Sequence, residues 1–276
     1  MVIGIDIGGT NIRCGLIENG QVLEKLSEPC LADKSENEVL EQLKGMIDQL
    51  MNSSVKGIGI GIPSVVDTQN GIVYNVVNIP SWEKVYLKDI MEAKYNIPVY
   101  VNNDSNCFTL GEYCYGQGKP FNNMIGVTLG TGVGAGVIIN KNLYCGENAG
   151  AGEIGCLPYL KHNFEYYCSS NFFVEFYKMT GIEAAKLALN GDVNILKAWE
   201  EFGFHLGMLV KAILYTYDPD AIIFGGGLSG AHSFFSAMMN KTMTEFEYPE
   251  TIRKIQILIS SHNDISLLGA SRLVKM

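Results

Sequence analysis

The sequence predicts an α/β protein built as two lobes. Three observations carry this prediction: a length of 276 residues, a strand, glycine-turn, strand pattern in each half, and amphipathic helical segments between short apolar strands. A chain of this length is longer than one hydrophobic core usually grows. Because no low-complexity linker separates the halves, we expect a hinge between a first lobe at 1–114 and a second at 115–263.

The first half opens with three predicted strands and a helix. The segment VIGIDIGGTNIRCGLIENGQVLEKL contains a glycine turn and an Asn-Gly turn between strand patterns, which predicts a meander. In SENEVLEQLKGMIDQLM the apolar residues share one helical face, and Ser35 with Glu38 forms a capping box. Two buried strands, GIGIGIP and PVYVNN, follow, and the second leads into the helical segment SNCFTLGEYCYG.

The second half repeats this plan. MIGVTLGTGVGAGVII again predicts strand, glycine-rich turn and strand. A long helix, ILKAWEEFGFHLGMLVKAILYTY, a buried strand, AIIFGGG, a helix near 233–246 and a strand, KIQILIS, follow. The last segment, DISLLGASRLV, predicts a helix at about 264–276 that packs back on the first lobe.

Charge and composition argue against several classes of function. The 29 acidic and 20 basic residues give a net charge of −9, which disfavours a nucleic-acid or acidic-membrane surface. No stretch approaches the ~20 apolar residues that span a bilayer. The seven cysteines form no regular framework, as expected in a reducing compartment. We therefore expect a cytoplasmic protein whose partner is a small molecule.

Three glycine-rich segments are candidates for binding a nucleotide. DIGGTN and LGTGVGAG, one in each half, present backbone N–H groups without intervening side chains, which suits a polyphosphate held from two sides. LGTGVGAG is not a dinucleotide-binding motif, because a strand follows its glycines. In YDPDAIIFGGGLS three glycines follow a buried strand, where a flat ring could lie close to the backbone. Each segment could also be a plain turn.

Two aspartates follow predicted strands at the edge where ligands gather in α/β sheets. Asp6 ends an apolar strand, where an unpaired carboxylate would be costly and a hydrated Mg²⁺ at the phosphates would compensate it. A turn aspartate that caps backbone N–H groups is the alternative. Asp104 lies between PVYVNN and a helix, where an N-cap role is equally open.

Taken together, these segments resemble the ROK family of sugar kinases, within the actin-like ATPase (ribonuclease H-like) fold, over nearly the whole chain. GIDIGGTNIRCGLI and VTLGTGVGAGVI resemble its two phosphate motifs, and DPDAIIFGGG resembles its adenosine motif. VNNDSNCFTLGE resembles its N-D-x-N-x-x-x-x-G-E motif. GIGIPSVVDTQNGIVYNVVNIPSW and GEIGC resemble its G-x-P-G-x-V-D stretch and its E-x-G-H motif. The resemblance implies that sugar and ATP bind in a cleft between two lobes.

The resemblance also implies residue roles in moving the γ-phosphate of ATP to the 6-hydroxyl of a hexose or hexose derivative. Asp104 is the implied general base, and Asp6 is expected to hold Mg²⁺ through water. The implied sugar ligands are Asn78, Asn103, Asp104, Glu153 and Glu175. The implied nucleotide contacts are Gly8, Gly9, Thr10, Asn11, Thr131, Gly132, Gly225, Gly226 and Gly227. A homodimer is expected from the resemblance, and the identity of the sugar stays open.

One segment departs from the family pattern. Most ROK proteins follow E-x-G-H with a cysteine-rich stretch that binds a structural Zn²⁺, whereas here Cys156 replaces the histidine. Cys156, His162 and Cys168 could supply three of the four ligands of such a site, but we expect aromatic packing to hold this loop instead. Nearby glutamates would raise the thiol pKa, so we do not expect Cys156 to be a nucleophile. The missing histidine, together with Ser64 in the usual P-G stretch, weakens the case for glucose.

Two alternatives to a kinase exist within the family. Its sugar-sensing repressors carry an added helix-turn-helix domain before the kinase-like region, whereas here the first phosphate motif begins at residue 3. The other alternative is a catalytically silent sugar-sensing or regulatory protein. Asp6, Asp104 and both glycine hairpins argue against that alternative, so we expect a kinase that uses ATP and Mg²⁺.

Overall fold

The structure, a computed structural model, describes residues 1–147 and 149–275. Its strands are β1 (Val2–Ile7), β2 (Asn11–Glu18), β3 (Gln21–Pro29), β4 (Ile58–Ile62), β5 (Val65–Asp67), β6 (Ile72–Tyr74), β7 (Lys84–Val85), β8 (Val99–Asn103), β9 (Met124–Leu129), β10 (Val133–Ile139), β11 (Asn142–Leu143), β12 (Pro158–Tyr159), β13 (His162–Asn163), β14 (Ala221–Gly225) and β15 (Gln256–Ile259). Its helices are α1 (Glu36–Leu50), α2 (Leu87–Tyr95), α3 (Asp104–Cys114), α4 (Phe164–Cys168), α5 (Ser170–Tyr177), α6 (Gly181–Leu189), α7 (Val193–Tyr217), α8 (His232–Met243), α9 (Pro249–Lys254) and α10 (Ile265–Arg272).

Two five-stranded sheets of the same plan form the centre of the fold. Their strand orders are β3-β2-β1-β4-β8 and β11-β10-β9-β14-β15. In each sheet three antiparallel strands of a meander continue into two parallel strands. The repeated plan predicted from the two glycine-turn segments is therefore confirmed. A smaller sheet, β5-β6-β7, forms within and directly after GIGIPSVVDTQNGIVYNVVNIPSW, for which the sequence predicted no strand after β4.

The predicted helices α1 and α7 form, and each buries its apolar face in a hydrophobic core. The Ser35 hydroxyl accepts the N–H of Glu38 and the Glu38 carboxylate accepts the N–H of Ser35, so α1 begins with the predicted capping box. The apolar face of α1 enters the core that covers the first sheet. The long helix α7 buries Trp199 and Phe202 in the core of the second half. No helix among the described residues is both long enough and apolar enough to cross a membrane.

Helices α3 and α10 pack against each other between the two sheets. Helix α10 lies on β1 and β4 of the first sheet, whereas α3 lies on β9 and β10 of the second sheet and also contacts β4. The last predicted helix is confirmed as α10, which a 3₁₀ turn extends to Lys275, and residue 276 lies outside the described residues. These two helices connect the sheets by direct packing.

Glycines allow α10 to approach its neighbours at backbone distance. A Cβ atom on Gly59 of β4 would lie 1.8 Å from the carbonyl oxygen of Ala270. A Cβ atom on Gly269 would lie 1.7 Å from the carbonyl oxygen of Cys107 in α3. Real Cβ atoms do not come so close to backbone oxygens. A side chain at Gly59 would therefore push α10 away from β4, and a side chain at Gly269 would push α10 away from α3.

The same constraint operates where α3 meets the second sheet. A Cβ atom on Gly126 of β9 or on Gly136 of β10 would lie 2.3 or 2.4 Å from the hydroxyl oxygen of Thr109. The Thr109 hydroxyl donates a 2.7 Å hydrogen bond to the carbonyl oxygen of Ser105, so it cannot easily turn away. The position of α3 relative to both sheets is therefore fixed by contacts without intervening side chains.

Substitution of Gly269 by alanine tests this constraint. We expect Gly269→Ala to lower the free energy of unfolding by about 1–3 kcal/mol or more, since overpacking forces backbone shifts. Gly45 in the exposed face of α1 is the matched control, because a Cβ atom there meets nothing within 4 Å. Gly45→Ala should raise stability by about 0.5–1 kcal/mol. Urea unfolding measures both, and equal effects of the two variants would contradict the constraint.

Candidate active site

One cavity of about 700 Å³ collects residues from both halves of the chain. Its walls are the first glycine turn, the start of α3, the glycines after β14 and the segment 260–266. The residues predicted for the site that line it are Asp6, Gly8, Gly9, Thr10, Asn11, Asp104, Gly225, Gly226 and Gly227. Positions far apart in the sequence therefore share one space large enough for a small-molecule ligand.

The first glycine turn joins β1 to β2 at the cavity wall. The N–H of Gly8 donates to the carbonyl oxygen of Asn11 at 2.9 Å and closes the turn. A Cβ atom on Gly9 would lie 2.4 Å from Cβ of Asn78, so the turn and the predicted sugar ligand Asn78 are in direct contact. Asn78 itself is exposed and lies outside the cavity lining.

The second glycine turn, between β9 and β10, lies outside this cavity. Gly130 N–H donates to the carbonyl oxygen of Gly132 at 3.0 Å. The predicted phosphate contact Thr131 is exposed and lines a neighbouring pocket. The carboxylate of Glu165 lies directly beside Gly132, because a Cβ atom on Gly132 would lie 2.4 Å from Oε2 of Glu165. The N–H of Val133 donates to the same oxygen at 2.9 Å.

The neighbouring pocket is mainly apolar and has a volume of about 510 Å³. It shares Gly227 and Gly230 with the larger cavity. Its apolar lining includes Ile182, Leu189 and Phe234. The glycines after β14 thus lie at the junction of a polar cavity and an apolar pocket, which suits a ligand with one charged end and one flat apolar end.

The turn after β14 requires glycine for two physical reasons. Gly226 has a φ of +83°, a conformation that residues with a side chain rarely adopt. A Cβ atom on Gly226 would also lie 2.3 Å from the carbonyl oxygen of Leu129. Gly227 meets nothing within 4 Å, so its backbone is open to the cavity.

Asp6 lies at the end of β1 and is paired with an arginine that the sequence interpretation did not consider. Asp6 and Arg13 face each other across β1 and β2, and the Arg13 guanidinium donates to the Asp6 carboxylate. Burial raises the pKa of Asp6, and the charge of Arg13 opposes that rise. The hairpin register, with a turn at 8–11, was the signal in the sequence that could have identified Arg13.

Asp104 is the first residue of α3, and its neighbour Asn103 is the N-cap. The Asn103 side-chain oxygen accepts the N–H groups of Ser105 and Asn106 at 2.9 and 3.3 Å. The Asp104 carboxylate accepts the N–H of Ser105 at 2.8 Å and the hydroxyl of Ser105 at 3.4 Å. Because Asn103 takes the capping role, the carboxylate of Asp104 lines the cavity wall instead.

The surroundings of Asp104 favour its neutral form. Burial raises its pKa to about 7, and the negative charge of Asp6 adds to the rise. Both carboxylates belong to residues that line the same cavity. A carboxyl group with a pKa near neutrality at a cavity wall can take up a proton and release it under ordinary conditions.

The amide of Asn103, a predicted sugar ligand, already has partners within the protein. Its oxygen caps α3, and its Nδ2 donates to the carbonyl oxygen of Ser64 at 3.3 Å. The Ser64 hydroxyl donates to the carbonyl oxygen of Tyr74, and so connects the segment between β4 and β5 to the end of β6. Asn103 and Ser64 therefore join the segment around β5 to the start of α3.

Glu153 and Glu165 form a second carboxylate pair beside the second glycine turn. Glu153 precedes the 3₁₀ turn Ile154–Cys156, and the Cys156 thiol donates to its Oε2 at 3.8 Å. Partial burial of its carboxyl group raises the pKa of Glu153, and the negative charge of Glu165 contributes to the rise. The same surroundings, led by burial, raise the pKa of the Cys156 thiol, as expected for an unreactive cysteine.

Glu175, the other predicted sugar ligand, is an exposed residue of α5. Glu165, which was not among the predicted sugar ligands, is the glutamate that lies beside the second glycine turn. The reason is a helix start: the Asn163 side chain accepts the N–H of Tyr166, so α4 begins at Phe164 and its first turn carries Glu165. An Asn cap followed by a glutamate was the signal available in the sequence.

The three residues considered for zinc lie in different surroundings. Cys168 is fully buried in the core of the second half, whereas Cys156 and His162 are exposed. Within residues 1–147 and 149–275, no group of three or more His, Cys, Asp or Glu side chains could hold a metal ion. Aromatic packing holds this loop, as expected: Tyr159 stacks on Phe164 at 4.3 Å. His162 stacks on Tyr166 at 3.9 Å.

Comparison with known proteins relates the chain to kinases and to regulators. It is 27% identical to a glucokinase of Thermotoga maritima, with 99% of this chain and 97% of the relative covered. It is 28% identical to a xylose repressor of Bacillus subtilis, with 99% of this chain and 76% of the relative covered. Sequence similarity of this degree does not separate the two kinds of protein.

Solved structures share the architecture described above. A ROK family glucokinase from Streptomyces griseus, in complex with glucose and AMPPNP, superposes with a TM-score of 0.85 over 99% of both chains at 24% identity. The arrangement of two similar sheets is thus the two-lobed actin-like ATPase fold of these proteins. A model of the ROK family matches residues 2–276. The chain belongs to the ROK family.

Proposed function

We propose that this protein is an ATP-dependent sugar kinase, which transfers the γ-phosphate of ATP to the 6-hydroxyl of a hexose or hexose derivative. The observation that carries the proposal is the environment of Asp104, a carboxyl group with a pKa of about 7 in the same cavity as Asp6 and the first glycine turn. Phosphoryl transfer needs positioning, charge neutralisation and a proton acceptor, and this cavity contains candidates for each.

The apolar pocket and the larger cavity together fit ATP. The adenine ring would enter the pocket beside Ile182 and Phe234, and the phosphates would pass Gly227 towards the first glycine turn. Open backbone at Gly227 favours such a close approach. The AMPPNP complex of the Streptomyces griseus glucokinase supports ATP as the nucleotide.

The residues of the cavity also fit Mg²⁺. This ion usually binds one or two carboxylates together with substrate phosphates, and rarely needs a cage made entirely of protein. Asp6 and Asp104 supply the carboxylates among the described lining residues, and Asp6 is the one proposed to hold the ion through water. When bound, Mg²⁺ would supply positive charge to the β- and γ-phosphates.

Asp104 is proposed to accept the proton of the sugar hydroxyl. As the hydroxyl oxygen forms its bond to the γ-phosphorus, the bond from that phosphorus to the bridging oxygen of ADP breaks, and the proton passes to the Asp104 carboxylate. The pKa of about 7 suits this role, because a base is most effective when its pKa lies near the working pH.

The sugar itself is proposed to bind between Asp104 and the pair Glu153 and Glu165. Carboxylates that accept hydrogen bonds from hydroxyl groups discriminate strongly, because a missing hydroxyl leaves a desolvated acceptor without a partner. Asn78 and Asn103, at the first glycine turn and the start of α3, would complete the surroundings. Cys156 in place of the family histidine alters this site, so the preferred sugar is an experimental question.

A sugar panel tests the proposal. Purified protein with ATP and Mg²⁺ is offered glucose, fructose, allose, mannose, N-acetylglucosamine and N-acetylmannosamine, while ADP release and the phosphorylated product are measured. We expect at least one sugar to give stoichiometric ADP and a 6-phosphate. ATP binding without phosphorylation of any sugar would contradict the proposal and favour a regulatory role, since the chain is also similar to a xylose repressor.

Substitution of the proposed base should separate chemistry from binding. We expect Asp104→Asn to reduce kcat by about 10²–10⁴-fold, with the KM for sugar changed little, because the proton acceptor is lost but the polar contact remains. Steady-state kinetics measures both constants. A kcat within twofold of the wild type would exclude Asp104 as the base.

Thermal unfolding provides the control for that variant. The folded-state pKa of Asp104, about 7, lies above its ordinary value of 3.8, so ionisation favours the unfolded chain and wild-type stability falls as the pH rises between these values. The Asp104→Asn variant has no carboxyl group to ionise at this position, so its stability does not fall in this way. Its Tm above pH 7 should therefore equal or exceed that of the wild type.

The pH dependence of kcat/KM should report the same group. Because the base must be ionised in the free enzyme, kcat/KM for the sugar should fall about tenfold per pH unit below an apparent pKa of about 7. A profile that stays flat down to pH 5 would show that an ordinary carboxyl group, or none, limits the reaction.

A matched pair of glutamates tests the sugar site. We expect Glu165→Gln to raise the KM for the sugar about 10–100-fold, since hydrogen bonds to a charged group contribute about 1.5–3 kcal/mol. The amide oxygen can still accept the N–H of Val133, so the loop should stay folded. Glu175→Gln, on the exposed face of α5, should leave the KM within about twofold. The reverse outcome would restore Glu175 as the sugar ligand.

A further inference from the structure

Arg13 is a cavity residue with no role in the function proposed so far. It lies on β2 directly opposite Asp6, and its side chain lines the same cavity as the first glycine turn. The Arg13 side chain keeps 41% of its surface exposed, although one end donates to the Asp6 carboxylate. Among the described residues, the Asp6 carboxylate is the one group to which the Arg13 side chain donates, so its other N–H donors are available to a ligand.

The charges around the cavity require a cation at this place. Asp6 and Asp104 are acidic, and a nucleoside triphosphate brings about four further negative charges. Of the described residues that line the cavity, Arg13 alone carries a permanent positive charge. Repulsion between the phosphates and the two aspartates would otherwise oppose nucleotide binding.

The geometry of the guanidinium group suits two partners at once. It has five N–H donors in a planar fork that matches carboxylate and phosphate oxygens. The contact with Asp6 uses one of its two terminal nitrogens, Nη2. That contact also orients the group on a strand of the sheet, so that little side-chain entropy remains to be lost when a phosphate binds.

We propose that Arg13 binds the β- and γ-phosphates of the nucleotide while it remains paired with Asp6. This inference rests on the proposed function and adds a phosphate-binding residue to it. Arg13 links the anionic ligand to the aspartate proposed to hold Mg²⁺, and keeps the phosphate chain beside the first glycine turn. Arg13 does not line the apolar pocket proposed for the adenine ring, so the affinity for nucleotides that lack the β-phosphate should not depend on it.

Nucleotide affinities test this inference without any need for turnover. Isothermal titration with AMP, ADP and ATP compares the wild type with Arg13→Gln. We expect the variant to bind ADP and ATP about 10–100-fold more weakly, which corresponds to the loss of hydrogen bonds to charged groups. Its affinity for AMP should stay within about twofold.

Two further variants sharpen the test. Arg13→Lys keeps the charge but loses the fork, so its ADP and ATP affinities should lie between those of the wild type and Arg13→Gln, and it carries the test if Arg13→Gln fails to fold. Arg253→Gln removes an exposed arginine that is likewise paired with a carboxylate, that of Glu250, and should change none of the affinities.

The outcomes separate this inference from the function on which it rests. Equal affinities in wild type and Arg13→Gln, or an equal loss for AMP, ADP and ATP, would overturn the role of Arg13 and leave the kinase proposal standing. A wild-type protein that binds ATP but phosphorylates no sugar would contradict the kinase proposal only. A wild-type protein that binds none of the three nucleotides would overturn both.

Discussion

The close contact of α3 and α10 between the two sheets is the constraint on which the candidate site depends. Gly269 allows the backbones of α3 and α10 to touch, and Gly59 allows the backbone of α10 to touch β4. Any side chain at either position would separate these elements. Since Asp6 ends β1 and Asp104 begins α3, the distance between these two carboxylates follows from how closely the helices lie on the sheets. A packing requirement outside the cavity lining thus influences the chemistry of the cavity.

Once the two aspartates share a cavity, their charges explain the rest of its composition. Asp6 is paired with Arg13, and Asp104 is left with a pKa near neutrality. Glycine backbone on two sides, at the first glycine turn and after β14, admits phosphates without bulky side chains. The resulting site combines the proposed proton acceptor Asp104, the ion pair of Asp6 and Arg13, and open backbone N–H groups. This combination agrees with the needs of phosphoryl transfer.

Much of this could be predicted from the sequence, because glycine turns and helix caps are local signals. The capping box of α1, both glycine hairpins and Asp6 at the end of β1 were all identified from neighbouring residues. Contacts between distant segments were not available in this way. The role of Asn103, and not Asp104, as the N-cap of α3 depends on two hydrogen bonds, from the N–H groups of Ser105 and Asn106, that the sequence leaves open.

The carboxylate beside Glu153 shows the same limit. Glu175 was predicted from its resemblance to the glutamate that closes the cysteine-rich segment of the family, and this role stays a prediction. The start of α4 at an asparagine cap places a further glutamate, Glu165, beside the second glycine turn. Thr131 likewise has the predicted turn but lines the neighbouring apolar pocket. In both cases the local element was predictable, and the direction in which it faces depended on packing with distant strands.

A crystal structure with AMPPNP and the sugar selected by the panel would test the central claim most directly. The account predicts that the phosphates lie beside the first glycine turn, with a carboxylate oxygen of Asp104 about 2.6–3.2 Å from the 6-hydroxyl oxygen. A nucleotide bound outside this cavity, or a sugar whose 6-hydroxyl faces away from Asp104, would contradict it.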